Sequence, residues 1–95
     1  MTPTEDATAL ARKRLAFRAW HRGTRETDLI LGRFADAHIA GFDEAELEAF
    51  ASLLEMPDPD IFAWVTGSRP VPVSMRSSIL ARLIAFHQQS VSSDV

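Results

Sequence analysis

GFDEAELEAFASLLEMPDPDIFAW, running from Gly41 to Trp64, holds two helix stops and two helix starts in close succession. Gly41 is a natural helix terminator, because glycine enters the left-handed region at little cost. Asp43 then reads as an N-cap, and Glu46 three residues later completes a capping box with Asp in the cap role. Phe42 and Leu47 occupy the hydrophobic-staple positions on either side of that cap. Leu47, Phe50, Leu53 and Leu54 recur at helical spacing as an apolar stripe, and Pro57 forbids continuation. Asp58-Pro59-Asp60 restarts the chain, with Asp58 as an acidic cap, Pro at the first helical position and a second acid facing the helix dipole. The short helix that follows carries Ile61, Phe62, Trp64 and Val65 and stops at Gly67.

The pattern extends in both directions. Upstream, a first helix is expected from about Pro3 or Thr4 to Trp20, with Leu10 and Phe17 seven residues apart and Ala9, Ala16, Ala19 and Trp20 in an adjacent stripe. Gly23 ends it, and a second helix is expected from about Arg25 to Ala40, marked by Ile30, Leu31, Phe34, Ala37 and His38. Downstream, Arg69-Pro70-Val71-Pro72 is an extended connector, since a residue before proline is pushed out of the helical region. A final helix from about Val73 or Ser74 to His87 turns Met75, Ile79, Leu80, Leu83 and Ile84 inward. No segment alternates with period two in β-branched residues, so strands are not expected. The chain reads as all-α: a compact five-helix bundle, one domain over residues 1–95, ordered over about 4–88 and frayed over 90–95.

With 46% apolar and 24% charged residues in 95 positions, one modest core is affordable and disorder is not indicated. The chain lacks cysteine, which removes disulfides and thiolate chemistry. No apolar run approaches the ~20 residues needed to span a bilayer, and the acidic start Glu5-Asp6 is unlike a secretory signal. A soluble cytoplasmic protein is therefore expected, without membrane insertion.

Chemistry-bearing constellations are sparse. His21, His38 and His87 lie 17 and 49 residues apart, with no carboxylate at metal-ligand spacing, so no metal site is expected. Neither a phosphate-binding glycine loop nor a nucleophile elbow is present. Asp58 and Asp60 could be imagined as paired acids, but helix capping explains both more simply, and no catalytic residue is assigned. Trp64 reads as core. Trp20, at the end of a basic helix, is left open between core and partner surface.

The charge distribution is informative despite a net charge of only −3. Six bases and no acid lie between Arg12 and Arg25, whereas eight acids and no base lie between Phe34 and Ser68. Nine of the ten bases are Arg, the side chain suited to bidentate recognition of carboxylate or phosphate. The turn Arg22-Gly23-Thr24-Arg25-Glu26 sits at the end of the basic stretch. Capping accounts for Gly23 and Glu26. It does not account for Arg18, Arg22 and Arg25, which could instead meet carboxylates or phosphates of a partner while Gly23 permits close approach. Composition alone leaves both readings standing.

His21-Arg22-Gly23-Thr24-Arg25-Glu26-Thr27-Asp28 resembles the RGxxE motif, with its following Asp, of the succinate dehydrogenase assembly factors, also called FAD assembly factors. Leu53-Leu54-Glu55 and Asp58-Pro59-Asp60-Ile61-Phe62-Ala63-Trp64 are similar to that family's second block, and Leu83-Ile84 extend the likeness, which covers about residues 10–87. The resemblance implies a five-helix bundle that is not an enzyme. It implies binding to the flavoprotein subunit of succinate dehydrogenase, and in some bacteria of fumarate reductase, to promote covalent attachment of the partner's FAD, with no flavin held stably by the small protein itself. It places Arg22, Gly23 and Glu26 in the contact, with Asp28 supporting it and Arg25 and Arg18 beside it. Arg22 would pair with acidic or carbonyl groups, and Glu26 would orient the turn or meet a cation. His21, Thr24 and Thr27 depart from the residues common in the family (Arg, Met and Leu), which weakens any apolar anchoring by the turn. A monomer is expected. The alternative is a small nucleic-acid-binding module using the Arg12–Arg25 face, which the overall acidity disfavours.

Overall fold

The computed structural model describes residues 3–93, with side-chain environments over 7–90. Five α-helices follow one another: α1 (Pro3–Trp20), α2 (Arg25–His38), α3 (Glu44–Leu54), α4 (Asp58–Thr66) and α5 (Ser78–Ser93). Two single 3-10 turns, Ile39–Gly41 and Val73–Met75, lie before α3 and before α5. There is no strand among the described residues. The radius of gyration is 13.3 Å, matching the ~13 Å of a compact domain of about 100 residues.

The segment from Gly41 to Trp64 folds as its sequence directs. The Asp43 carboxylate accepts from the Glu46 N–H at 2.8 Å, and the Glu46 carboxylate accepts from the Asp43 N–H at 2.9 Å, so the capping box is closed in both directions. Phe42 and Leu47 are both buried beneath it. One detail differs. Pro57, not Asp58, takes the N-cap position of α4: its backbone is extended, and its carbonyl accepts from Asp60 and Ile61. Asp58 is thereby moved inside the helix, its side chain caps nothing, and it is free to face another element. Asp60 likewise pairs with Arg69 at 2.7 Å. α4 ends at Gly67 in the left-handed region, φ 82°.

Phe34 of α2 sits at the centre of the core, fully buried, with the rings of Phe42, Phe50 and Phe86 around it at centroid distances of 5.7–6.0 Å in tilted or edge-on geometry. Such arrangements set the negative face of one ring against the positive edge of the next. Leu31, Ile61, Ile79, Leu80 and Leu83 complete the interior.

Three expectations are corrected by the packing. In α1, Leu10 and Phe17 do not face the core; they are 47% and 63% exposed. The inward side is Leu15 and Ala19, with Ala11 and Ala16 partly buried against it. Small residues win there because α1 and α2 approach closely. Gly32 of α2 lies directly under Trp20, and a Cβ at that position would overlap the indole. Trp20 is thus a half-buried lid on the α1–α2 crossing, its Nε1–H donating to Asp36 at 3.1 Å. Second, α2 ends at His38 and the chain tightens into the 3-10 turn, so that Ile39 is buried and Ala37 exposed. Third, α5 begins at Ser78 because Arg76 is extended and the Ser77 hydroxyl accepts from the Leu80 N–H at 3.1 Å. It runs on to Ser93, past the expected end at His87; residues 94–95 of the expected frayed tail lie outside the described residues.

Candidate functional site: a stapled turn between α1 and α2

α1 ends where the backbone can no longer continue helically. His21 Nδ1 donates to the Phe17 carbonyl at 2.7 Å, and the imidazole stacks on the Phe17 ring at 4.0 Å. Gly23 adopts φ +113°, a region that L side chains rarely enter. A Cβ built there would meet nothing within 4 Å, so backbone conformation alone demands glycine and the space above the apex is open. Thr24 is the extended N-cap of α2; its hydroxyl donates to the buried Thr27 hydroxyl at 2.7 Å and accepts from no N–H of the helix end.

Arg22 points inward. Its Nε donates to Asp58 Oδ1 at 2.8 Å, while its two terminal nitrogens donate to the carbonyls of Leu54 and Met56. The side chains of Arg22 and Asp58 are only 12% and 14% exposed. The carbonyls at the end of α3 are among those a helix leaves without internal partners, and a cation there also complements the helix dipole. Asp58, in the first turn of α4, balances the charge. One guanidinium therefore caps α3, pairs with α4 and anchors the α1–α2 turn. Asp28 closes the turn from the other side by accepting from the Arg22 N–H at 2.5 Å.

The six residues singled out from sequence thus separate. Arg22 and Asp28 are brought together and face the protein itself, the guanidinium already meeting an acid and two carbonyls of its own chain. Arg18 reaches the same α3–α4 corner through Glu55 at 2.9 Å, but as an exposed pair. Gly23, Arg25 and Glu26 are exposed, and neither Arg25 nor Glu26 has an ion pair among the described residues. Glu26 overlooks two adjoining shallow cavities of about 250 and 360 Å³, which share Glu26 and the half-exposed Phe62 of α4 as lining. Asp58 is the site residue that sequence reading missed. The acid flanking Pro59 carries the signal, but capping accounts for it locally and hides its distant partner.

The site is thus a charged turn with an open apex on a small helical bundle, and no group of His, Cys, Asp and Glu is placed to hold a metal among the described residues. The chain belongs to the family described as flavinator of succinate dehydrogenase (Sdh5), which matches residues 13–87. It is 41% identical over 80 residues to a FAD assembly factor, SdhE, of Acetobacter pasteurianus, covering 84% of this chain and 73% of the relative. It is 38% identical over 76 residues to the mitochondrial succinate dehydrogenase assembly factor 2 of Dictyostelium discoideum, covering 80% of this chain and 53% of the relative. A protein of the same name from Mycosarcoma maydis is 43% identical over 72 residues. The chain thus spans about half of the Dictyostelium relative and 30% of the Mycosarcoma one. No helix among the described residues is long and apolar enough to cross a membrane.

Proposed function

We propose that this protein binds the flavoprotein subunit of succinate dehydrogenase and promotes covalent attachment of FAD to it, acting as a monomer in the cytoplasm. The bond formed joins a histidine of the flavoprotein to the 8α-methyl of the isoalloxazine ring. The flavoprotein supplies the reacting groups, and the small protein contributes binding energy that favours the productive conformation of its partner, without catalytic residues and without holding flavin stably itself. The flavoprotein subunit of fumarate reductase is a second client of the same kind.

The observation that carries this reading is the division of labour within the turn. Arg22 and Asp28 are spent on holding it rigid, which leaves Gly23, Arg25 and Glu26 as a preformed, outward-facing contact. Preorganisation of this sort lowers the ordering cost of association. Arg22 and Asp28 act in this reading as positioning residues, and Arg18 flanks the contact.

Co-expression with the flavoprotein subunit tests the proposal. The fraction of that subunit retaining fluorescent flavin after denaturing electrophoresis should rise when this protein is present. Equal covalent flavin with and without it would refute the reading.

A further inference from the structure

The outward face of α1 carries two large apolar residues among its cations, where a solvent-facing helix is ordinarily polar. A helix of a small bundle normally turns one apolar stripe to the core and polar residues to water. α1 instead has two apolar sides: Leu15 and Ala19 inward, Leu10 and Phe17 outward. Successive residues of a helix are set about 100° apart, so Leu10, Arg14, Phe17 and His21 share one arc of about 60°, with Lys13 at its edge. The Phe17 ring stacks on the His21 imidazole at 4.0 Å, which makes the two side chains one continuous surface. A single exposed apolar residue needs no explanation. Two of them one heptad apart, one stacked on a neighbouring ring, on the side opposite the core, do.

The cations say what covers the face. Lys13 and Arg14 are exposed and have no ion pair among the described residues, whereas Arg18, Arg69 and Arg82 each hold an acid. From Arg12 to Arg25 there is no acidic residue at all. The complementary surface therefore carries carboxylates around two apolar side chains spaced about 10 Å apart, the rise of seven helical residues. A second copy of this chain fits poorly: outside α1 the exposed large apolar residues among those described are Phe62 and Val73, on different elements, and Phe62 with Glu26 beside it offers one apolar anchor and one unpaired carboxylate where the face needs two anchors ringed by acids.

We propose that the Leu10–Arg14–Phe17–His21 face of α1 docks an acidic, amphipathic element of the flavoprotein client, extending the contact made by the turn. This inference rests on the flavoprotein reading above. His21 joins the two surfaces directly, being both the end of the stripe and the neighbour of Arg22. Apolar burial supplies the affinity, and the unpaired cations supply orientation and rate of encounter.

The experiment measures affinity of the intact protein for the purified, FAD-loaded flavoprotein subunit of succinate dehydrogenase at low and at physiological salt. Leu10→Ala/Phe17→Ala should weaken binding by about tenfold or more, as for truncation of apolar anchors in other interfaces. Lys13→Glu/Arg14→Glu should weaken it and flatten its dependence on salt. Both variants should keep the wild-type melting temperature, since neither alters the core. If both bind like wild type, the docking face is wrong and the flavinylation reading stands. If the wild-type protein itself does not bind the subunit, the flavinylation reading fails first and takes the docking face with it. Loss in the double-alanine variant of binding to phosphatidylglycerol vesicles, or of a wild-type dimer seen by sedimentation, with flavoprotein affinity unchanged, would assign the face to a membrane or a second copy and overturn the proposal.

Discussion

Two arginines at the end of α1 reach the same corner of the molecule and do different things there. Arg22 is inserted between α3 and α4, mostly buried, with an acid and two backbone carbonyls as partners. Arg18, one turn earlier, meets Glu55 from outside, with the two side chains 40% and 72% exposed. Both are Arg–carboxylate pairs at nearly the same distance, 2.8 and 2.9 Å. Burial separates them. Water screens the outer pair and solvates its ions almost as well when it is broken. The inner pair, once formed, cannot be half-removed without stranding a charge and two backbone carbonyls, one of them at the end of α3.

The sharpest way to break this comparison is Arg22→Ala. It should cost about 3 kcal/mol, since deleting one partner of a buried pair leaves the other uncompensated, and it should lower the midpoint of urea unfolding accordingly. Arg22→Lys should recover only part of that loss, because one ammonium nitrogen cannot occupy the three separate positions from which Nε, Nη1 and Nη2 reach Asp58 and the two carbonyls. A midpoint for Arg22→Ala equal to wild type would mean that the corner is held by packing alone.

Gly23→Val comes next. The site has open space, so the cost is conformational: a β-branched residue forced to φ near +113° should lose about 1–3 kcal/mol. The turn can respond by moving, which would misplace Arg25 and Glu26 and depress flavoprotein binding beyond what the lost stability explains. Arg18→Ala should be smaller, at most about 1 kcal/mol, and should vanish in high salt. An Arg18 effect as large as that of Arg22 would erase the distinction drawn between the two pairs.

What was legible in the sequence follows from the same physics. Local signals were read well. The Asp43–Glu46 box, the stop at Gly67 and the break at Gly23 depend on residues within a few positions of one another. Signals that needed a distant partner were not. Asp58 looked like a cap because only its neighbours were visible, and its true partner lies 36 residues away. Leu10 and Phe17 looked like core because they are the bulky apolar residues of α1, but the closeness of the α1–α2 crossing at Gly32 selects Ala19 for the inside. Ser77 is hidden as a cap because Val73 and Ser74 offer an earlier start. The two sequence blocks that carried the family resemblance turn out to touch, through Arg22 and Asp58. That contact explains physically why they would occur together, and no spacing rule could have shown it.

The smallest expected effect on stability is the most informative for function. Glu26 is exposed, has no ion pair among the described residues, and sits in the first turn of α2, where a carboxylate gains only about 0.3–1 kcal/mol from the helix dipole. Glu26→Ala should therefore leave the unfolding midpoint within that margin. Under the proposed function it should nonetheless abolish most of the gain in covalent flavin seen on co-expression, because the carboxylate lines two adjoining cavities beside the turn and faces outward. Arg22→Ala would lose flavin too, but with lost stability, and Arg22→Lys should restore both in part. A Glu26→Ala protein that remains folded and fully active would move the contact away from the turn, leaving Arg22 and Asp58 as a structural staple and nothing more.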